Sequence, residues 1–220
     1  TKLGIESYLV GVASTGVIGE IMNMEPVVKG VEMLNPNNDL ESGMNFAQAI
    51  LTTDTVMKNT TYATVIDGKE VLVSGTAKGS GMIEPNMATM LGFITTDANI
   101  ESDELQKALS EITNLTFNAI TVDGDTSTND TVVVLANGLA GNEPLTPAHP
   151  EWNNFYTALR LVAEFNLDAT RLETFDSTIQ FRVTKGTKAD TRDVTRLYSS
   201  VNPMNGEAVL EGAYYAVLTY

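Results

Sequence analysis

Tyr62-Ala63-Thr64-Val65-Ile66-Asp67-Gly68-Lys69-Glu70-Val71-Leu72-Val73-Ser74-Gly75-Thr76-Ala77 is the stretch whose reading decides the fold. Residues 62–66 and 70–77 are β-rich runs, and Asp67-Gly68 between them best tolerates the positive φ angles of a tight turn, so the stretch predicts a β-hairpin. Downstream the chain turns glycine-rich, Lys78-Gly79-Ser80-Gly81, continues through residues 82–89, and enters a second strand-like run over residues 90–96. Upstream, residues 8–12 read as a short buried strand running into Ala13-Ser14-Thr15-Gly16, whose small residues suit a tight turn with a helix soon after. Leu40, Met44, Ala47 and Leu51 recur at spacings of four, three and four, which gives a helix one apolar face to pack on a sheet.

From Ser102 onward, Leu105, Ala108, Leu109 and Ile112 trace an amphipathic helix whose first turn carries Asp103 and Glu104, where the helix dipole favours negative charge. Residues 131–136 predict a buried strand. Pro144, Pro147 and Pro150 make residues 138–150 a loop, and Phe155, Leu159 and Val162 mark another helix. Beyond residue 166 the pattern is weaker: residues 178–184 read as a strand, 190–200 as a short helix and 212–220 as a final strand. Hairpins mixed with helices favour an α+β or layered α/β architecture over an all-parallel sheet. One domain over residues 1–220 is expected.

Composition narrows the function. With 220 residues and 43% hydrophobic content the chain is long enough for a substantial core. Thirteen Lys and Arg against 28 Asp and Glu give a formal charge of -15, a field that repels nucleic-acid phosphates and anionic lipid, so neither nucleic acid nor membrane is an expected partner. Residues 1–10 carry no basic region followed by a long apolar stretch, and no run approaches transmembrane length; the expected address is cytoplasmic. No cysteine is present, which removes disulfides, thiolate nucleophiles and cysteine metal sites. The one histidine, His149, lies between prolines and reads as a solvated loop residue. Triads built on histidine and multi-histidine metal sites therefore lack material, and no cofactor or metal is expected.

A threonine at a new amino terminus needs no histidine, because its own α-amino group, with an unperturbed pKa of about 7.7 to 8.0, serves as the base. Composition alone does not select one threonine among many. Five blocks do: Val12-Ala13-Ser14-Thr15-Gly16-Val17-Ile18-Gly19, Leu51-Thr52-Thr53-Asp54-Thr55, Ala77-Lys78-Gly79-Ser80-Gly81-Met82-Ile83, Pro85-Asn86-Met87-Ala88-Thr89-Met90-Leu91 and Val122-Asp123-Gly124-Asp125-Thr126-Ser127-Thr128-Asn129-Asp130-Thr131. In this order, over residues 3–138, they resemble the bifunctional glutamate N-acetyltransferase and ornithine acetyltransferase family.

The resemblance implies a layered α/β sandwich with mixed sheets, the ornithine acetyltransferase fold, and self-cleavage between Ala88 and Thr89. Residues 1–88 would then form an α-chain-like part and 89–220 a β-chain-like part. Thr89 would carry an acetyl group from N-acetylornithine to glutamate, Thr15 and Gly16 would supply the oxyanion hole, and Thr52, Lys78 and Thr89 would contact substrate. It also implies a homo-oligomer of cleaved protomers. The family's Asp-Gly-Glu-Gly-Ala-Thr-Lys block, whose Glu binds substrate, has no match in the expected region, where Glu173 and Asp176 lie. Read without the resemblance, Lys78 is a solvated turn residue, Thr52 a helix-end hydroxyl, and Thr15 and Gly16 an ordinary strand-to-helix turn.

Two other readings stand beside this one. Asp123-Gly124-Asp125-Thr126-Ser127 is similar to the Asp-x-Asp loop of magnesium-dependent phosphotransferases, although a hydrogen-bonded turn accounts for residues 123–130 without any metal. An EF-hand is excluded there, because Thr128 stands at the required glycine and Val134 at the bidentate glutamate. A catalytically silent relative that keeps only the fold is the remaining alternative.

Overall fold

In the computed structural model the described residues are 4–17, 19–36, 39–80, 90–120, 127 and 129–178, with side chains through residue 165. Two short helices precede the sheet. The first, α1 (Met24–Met33), starts where the Asn23 side chain accepts the Glu25 N–H at 3.1 Å. The second, α2 (Leu40–Ala49), starts where Asp39 accepts the Ser42 N–H at 2.7 Å.

The hairpin forms as its sequence predicts. Strand β1 (Lys58–Ile66) pairs antiparallel with β2 (Lys69–Lys78), from Lys58 opposite Ala77 to Ile66 opposite Lys69. At the turn Asp67 has φ 54° and Gly68 φ 71°, the left-handed pair that matches the twist of the strands. Next come β3 (Leu91–Thr96), antiparallel to β2, and β4 (Thr131–Ala136), parallel to β3, giving the order β1-β2-β3-β4. A parallel step needs a crossover, and α3 (Ser102–Leu115) supplies it. Finally α4 (Trp152–Thr178) packs on β1, β2 and α3.

Burial follows the two periodicities. In β2, Val71, Val73 and Ala77 are fully buried at alternate positions, and α3 buries all four residues of its predicted apolar stripe, Leu105, Ala108, Leu109 and Ile112. Phe155, Leu159 and Val162 of α4 close the core at 0% exposure. The mixed sheet with its helices is α+β, as expected.

Four expectations need correction. Residues 8–12 are an exposed segment whose first residues belong to a single 3-10 turn (Ser7–Leu9), with Tyr8 82% exposed; a short apolar run does not specify a strand without a partner to pair with. Strand β4 is half-buried, because it lies at one edge of the described sheet. Helix α2 does pack on the sheet, through Phe46, edge-on to Phe93 of β3 at 5.3 Å, and through Met44, whose Sδ accepts the Asn59 amide of β1 at 3.5 Å, with Ala47 buried, but Leu40 of its predicted apolar face is 83% exposed. Thr178, read as the start of a strand, ends α4, and the later elements expected over residues 179–220 lie outside the described residues.

Core and periphery should separate cleanly in unfolding experiments. Phe155→Ala is expected to cost about 3–5 kcal/mol in urea unfolding, whereas Val27→Ser on the uncovered helix α1 should stay within about 0.5 kcal/mol.

Candidate active site

The polar centre of the molecule is the side chain of Asp54, fully buried just before β1. Its Oδ1 accepts the Lys58 ammonium at 2.5 Å and the Gly79 N–H at 2.6 Å, while Oδ2 accepts the Thr52 N–H at 3.3 Å. Lys58, itself fully buried, also donates to the Gly79 carbonyl at 3.2 Å. The Thr53 and Ser80 hydroxyls meet at 2.7 Å. One carboxylate thus ties the 52–54 turn to the first residue of β1 and to the residue just past β2. Burial pushes the Asp54 carboxyl up, but the Gly79 N–H, the Lys58 ammonium and the Thr52 N–H outweigh it and hold the group below its ordinary value.

Lys78 is the last residue of β2, and the structure overturns its reading as a solvated turn residue: it is fully buried. Its Nζ has no hydrogen-bond partner among the described residues. Burial lowers the Lys78 pKa; the charges of Asp54 and Asp130 oppose this, and Lys58 adds to it. Alternation along the strand sets Lys78 on the sheet face opposite Ala77, the face on which Phe46 of α2 meets Phe93.

Across the β2–β3 ladder Lys78 pairs with Leu91, two residues beyond Thr89. Met90, between them, is held from both sides. Its N–H donates to Asp130 Oδ1 at 2.7 Å, and its carbonyl accepts the Thr131 N–H at 3.0 Å. The Met90 side chain lies in the core at 1% exposure. Burial raises the Asp130 carboxyl above the ordinary range, against the pull of the Met90 N–H, the Ser127 hydroxyl and Lys78. Asp130 Oδ2 is buried without a hydrogen-bond partner among the described residues.

The structure brings Thr52 and Lys78 to one neighbourhood through Asp54. Thr52 itself is exposed just beyond the end of α2. Thr15 is half-buried and Gly16 exposed in an irregular segment, and no described residue from 4 to 36 is buried, so these two stand outside the packed centre. Ala88 and Thr89 lie outside the described residues, as do Asp123 and Asp125, while Glu173 and Asp176 belong to the part of α4 without described side chains. Ser127 Oγ accepts the Asn129 N–H at 3.2 Å, the kind of local bond expected of a polar turn.

His149 is not solvated. Its side chain is 11% exposed, with Nε2 3.3 Å from Asp67 Oδ1. Glu151 Oε2 accepts the Asp67 N–H at 2.6 Å, Asp67 Oδ2 accepts the Glu143 N–H at 2.9 Å, and Lys69 donates to the Gly141 carbonyl, so the 138–151 loop grips the hairpin tip. Asp67, His149 and Glu151 bring ligand-type atoms within 4.8 Å of one another, yet each residue already serves this grip.

Sequence reasoning missed Asp54, Lys58 and Asp130 as site residues. Asp54 sat inside a quoted block without a role of its own and Asp130 inside the predicted 123–130 turn, and the four-residue spacing of Asp54 and Lys58 carries no strand signal. Only the fold shows that both charges are buried together.

Fold and site together define an α+β domain whose polar centre gathers at strand ends around a buried lysine. The chain belongs to the ArgJ family, whose model matches residues 1–191. It is 61% identical over 160 residues to the arginine biosynthesis bifunctional protein ArgJ of Halalkalibacterium halodurans, covering 73% of this chain and 39% of that protein. The proteins of the same description from Geobacillus stearothermophilus and Bacillus subtilis are each 60% identical, over 163 and 164 residues. The crystal structure of arginine biosynthesis bifunctional protein argJ from Bacillus halodurans matches at 60% identity and a TM-score of 0.38, covering 39% of this chain and 40% of that one. The chain spans about 40% of the length of the curated relatives it matches. Among the described residues no helix is long and apolar enough to cross a membrane.

The Asp54–Lys58 pair sets a stability test. Because the folded Asp54 pKa is lowered from 3.8, its contribution is present above the unfolded value and is lost as pH falls through the folded one. Asp54→Asn is expected to destabilise the protein by about 3–5 kcal/mol at neutral pH by leaving Lys58 without its counter-charge. The variant should also lose part of the acid-side decline, as followed by thermal unfolding from neutral to acidic pH.

Proposed function

We propose that this chain carries the nucleophile of a self-cleaving threonine acyltransferase that moves an acetyl group from N-acetylornithine to glutamate. The observation that carries this reading is the Lys78 ammonium, buried without a hydrogen-bond partner among the described residues, beside the strand start that follows Thr89. An uncommitted buried cation is costly, and a substrate carboxylate supplies the missing counter-charge. Family membership and the roughly 60% identity to ArgJ proteins support the same assignment.

In this reading the Thr89 hydroxyl first attacks the Ala88 carbonyl, the peptide C–N bond breaks and leaves the Thr89 α-amino group free, and water then hydrolyses the resulting ester to release the Ala88 carboxylate and return the hydroxyl. The two parts are then residues 1–88 and 89–220 of a single domain. The amine takes the hydroxyl proton as Oγ1 attacks the acetyl carbonyl of N-acetylornithine, and N–H donors at Thr15 and Gly16 receive the charge that develops on its oxygen. Ornithine leaves with a proton on its α-amine. The glutamate amine then attacks acetyl-Thr89 and regenerates the hydroxyl. Lys78 holds the substrate α-carboxylate and Thr52 lines the same subsite. The substrates are small amino acids, neither nucleic acid nor membrane is needed, the address is cytoplasmic, and the cleaved protomers assemble as a homo-oligomer.

Denatured mass tests the reading most directly. Two fragments, the second beginning at Thr89, are expected, and a single species near 23.7 kDa in an active preparation overturns it. Thr89→Ala is expected to abolish both cleavage and transfer. Lys78→Ala is expected to leave cleavage intact and raise the KM for N-acetylornithine about tenfold or more, the loss of one charged hydrogen bond.

A further inference from the structure

Asp130 is the buried carboxylate that the reaction above leaves unused. It holds Met90 at 2.7 Å, its second oxygen has no hydrogen-bond partner among the described residues, and the next residue, Thr131, closes the clamp on the Met90 carbonyl at 3.0 Å. Met90 is joined directly to Thr89 by a peptide bond, so whatever fixes the Met90 N–H fixes one end of the nucleophile's own peptide group. Asp130 also opposes the loss of the Lys78 proton. Three charges of described residues act on that ammonium: Asp54 and Asp130 attract it and Lys58 repels it. Asp54 is already committed to Lys58 and to the Gly79 and Thr52 N–H groups, whereas Asp130 Oδ2 has no hydrogen-bond partner among the described residues.

We propose that Asp130 is a positioning residue of this site, fixing through one oxygen the backbone that follows Thr89 and through its charge keeping Lys78 an ammonium for the substrate carboxylate. The proposal rests on the threonine acyltransferase reading and adds to it a residue that acts through the Met90 backbone and through Lys78.

Two substitutions separate the two actions. Asp130→Asn retains a side-chain carbonyl for the Met90 N–H but removes the charge, whereas Asp130→Ala removes both. In the full chain, made by cell-free translation so that cleavage is followed from the start, Asp130→Ala is expected to slow cleavage about tenfold or more. Asp130→Asn should cleave close to the wild-type rate. Its KM for N-acetylornithine should rise at a lower pH than in the wild type, because Lys78 without the attracting charge loses its proton earlier. The limiting kcat should change little, and circular dichroism with a melting curve establishes that each variant is folded.

An Asp130→Asn enzyme with the wild-type pH profile of KM overturns the proposal, as does a folded Asp130→Ala chain that cleaves at the wild-type rate. In either case wild-type cleavage and transfer leave the threonine reading standing. A wild-type chain that stays whole while active overturns that reading, and the role of Asp130 with it.

Discussion

The site depends on one carboxylate committed to several donors at once. Asp54 has no exposed side-chain surface, so it cannot remain an anion unless the protein supplies its hydrogen bonds, and three segments do so: Thr52 from the turn, Lys58 from β1 and Gly79 from beyond β2. Moving any one of them breaks a charged hydrogen bond in a low-dielectric setting. The turn, the first residue of β1 and the end of β2 are therefore held as a unit, and Lys78, next to Gly79, is held with them.

Register then carries this order to the start of β3. A strand shifted by one residue would turn every side chain to the other face, so the pairing of Lys78 with Leu91 is set by the same alternation that buries Val71 and Val73 against the helices. The hydrophobic core therefore determines which residue lies across from Lys78. Parallel pairing of β4 to β3 adds the second constraint, bringing Asp130 and Thr131 alongside Met90 after a crossover through α3. Residues 40 positions apart meet because a parallel ladder requires a long connection, and the connection is itself packed by Leu105, Leu109 and Ile112.

What the sequence made legible is what local rules govern. Asp67-Gly68 fixed the hairpin because few dipeptides accept two positive φ angles, and the α3 stripe was readable because a 3.6-residue period over four apolar positions has no competing strand interpretation. Residues 8–12 misled because a short apolar run carries no period. Lys78 misled for a different reason. A lysine after a strand and before glycines is usually solvated, and its burial arises from long-range packing that leaves no mark on the adjacent residues. Resemblance, not pattern, singled it out. His149 was misread in the same way: its partner Asp67 is distant in sequence, and only the fold of the 138–151 loop over the hairpin tip brings them together.

Charge accounting at the strand ends gives the last step. Among the described residues, Lys58, Lys78, Asp54 and Asp130 sum to zero when all are ionised, in a chain whose net charge is -15. Neutrality at this one place removes much of the penalty of burying four charges, but not all of it, because the pairing is uneven. Asp54 and Lys58 satisfy each other at 2.5 Å, whereas Lys78 Nζ and Asp130 Oδ2 each lack a hydrogen bond among the described residues. A cluster arranged for stability alone would close the second pair as it closes the first. Burial leaves the Lys78 proton more weakly held and the Asp130 proton more tightly held than in water. That asymmetry among the described residues, one closed ion pair beside one open pair, is what the proposed reading calls for, in which a substrate carboxylate supplies the counter-charge to Lys78.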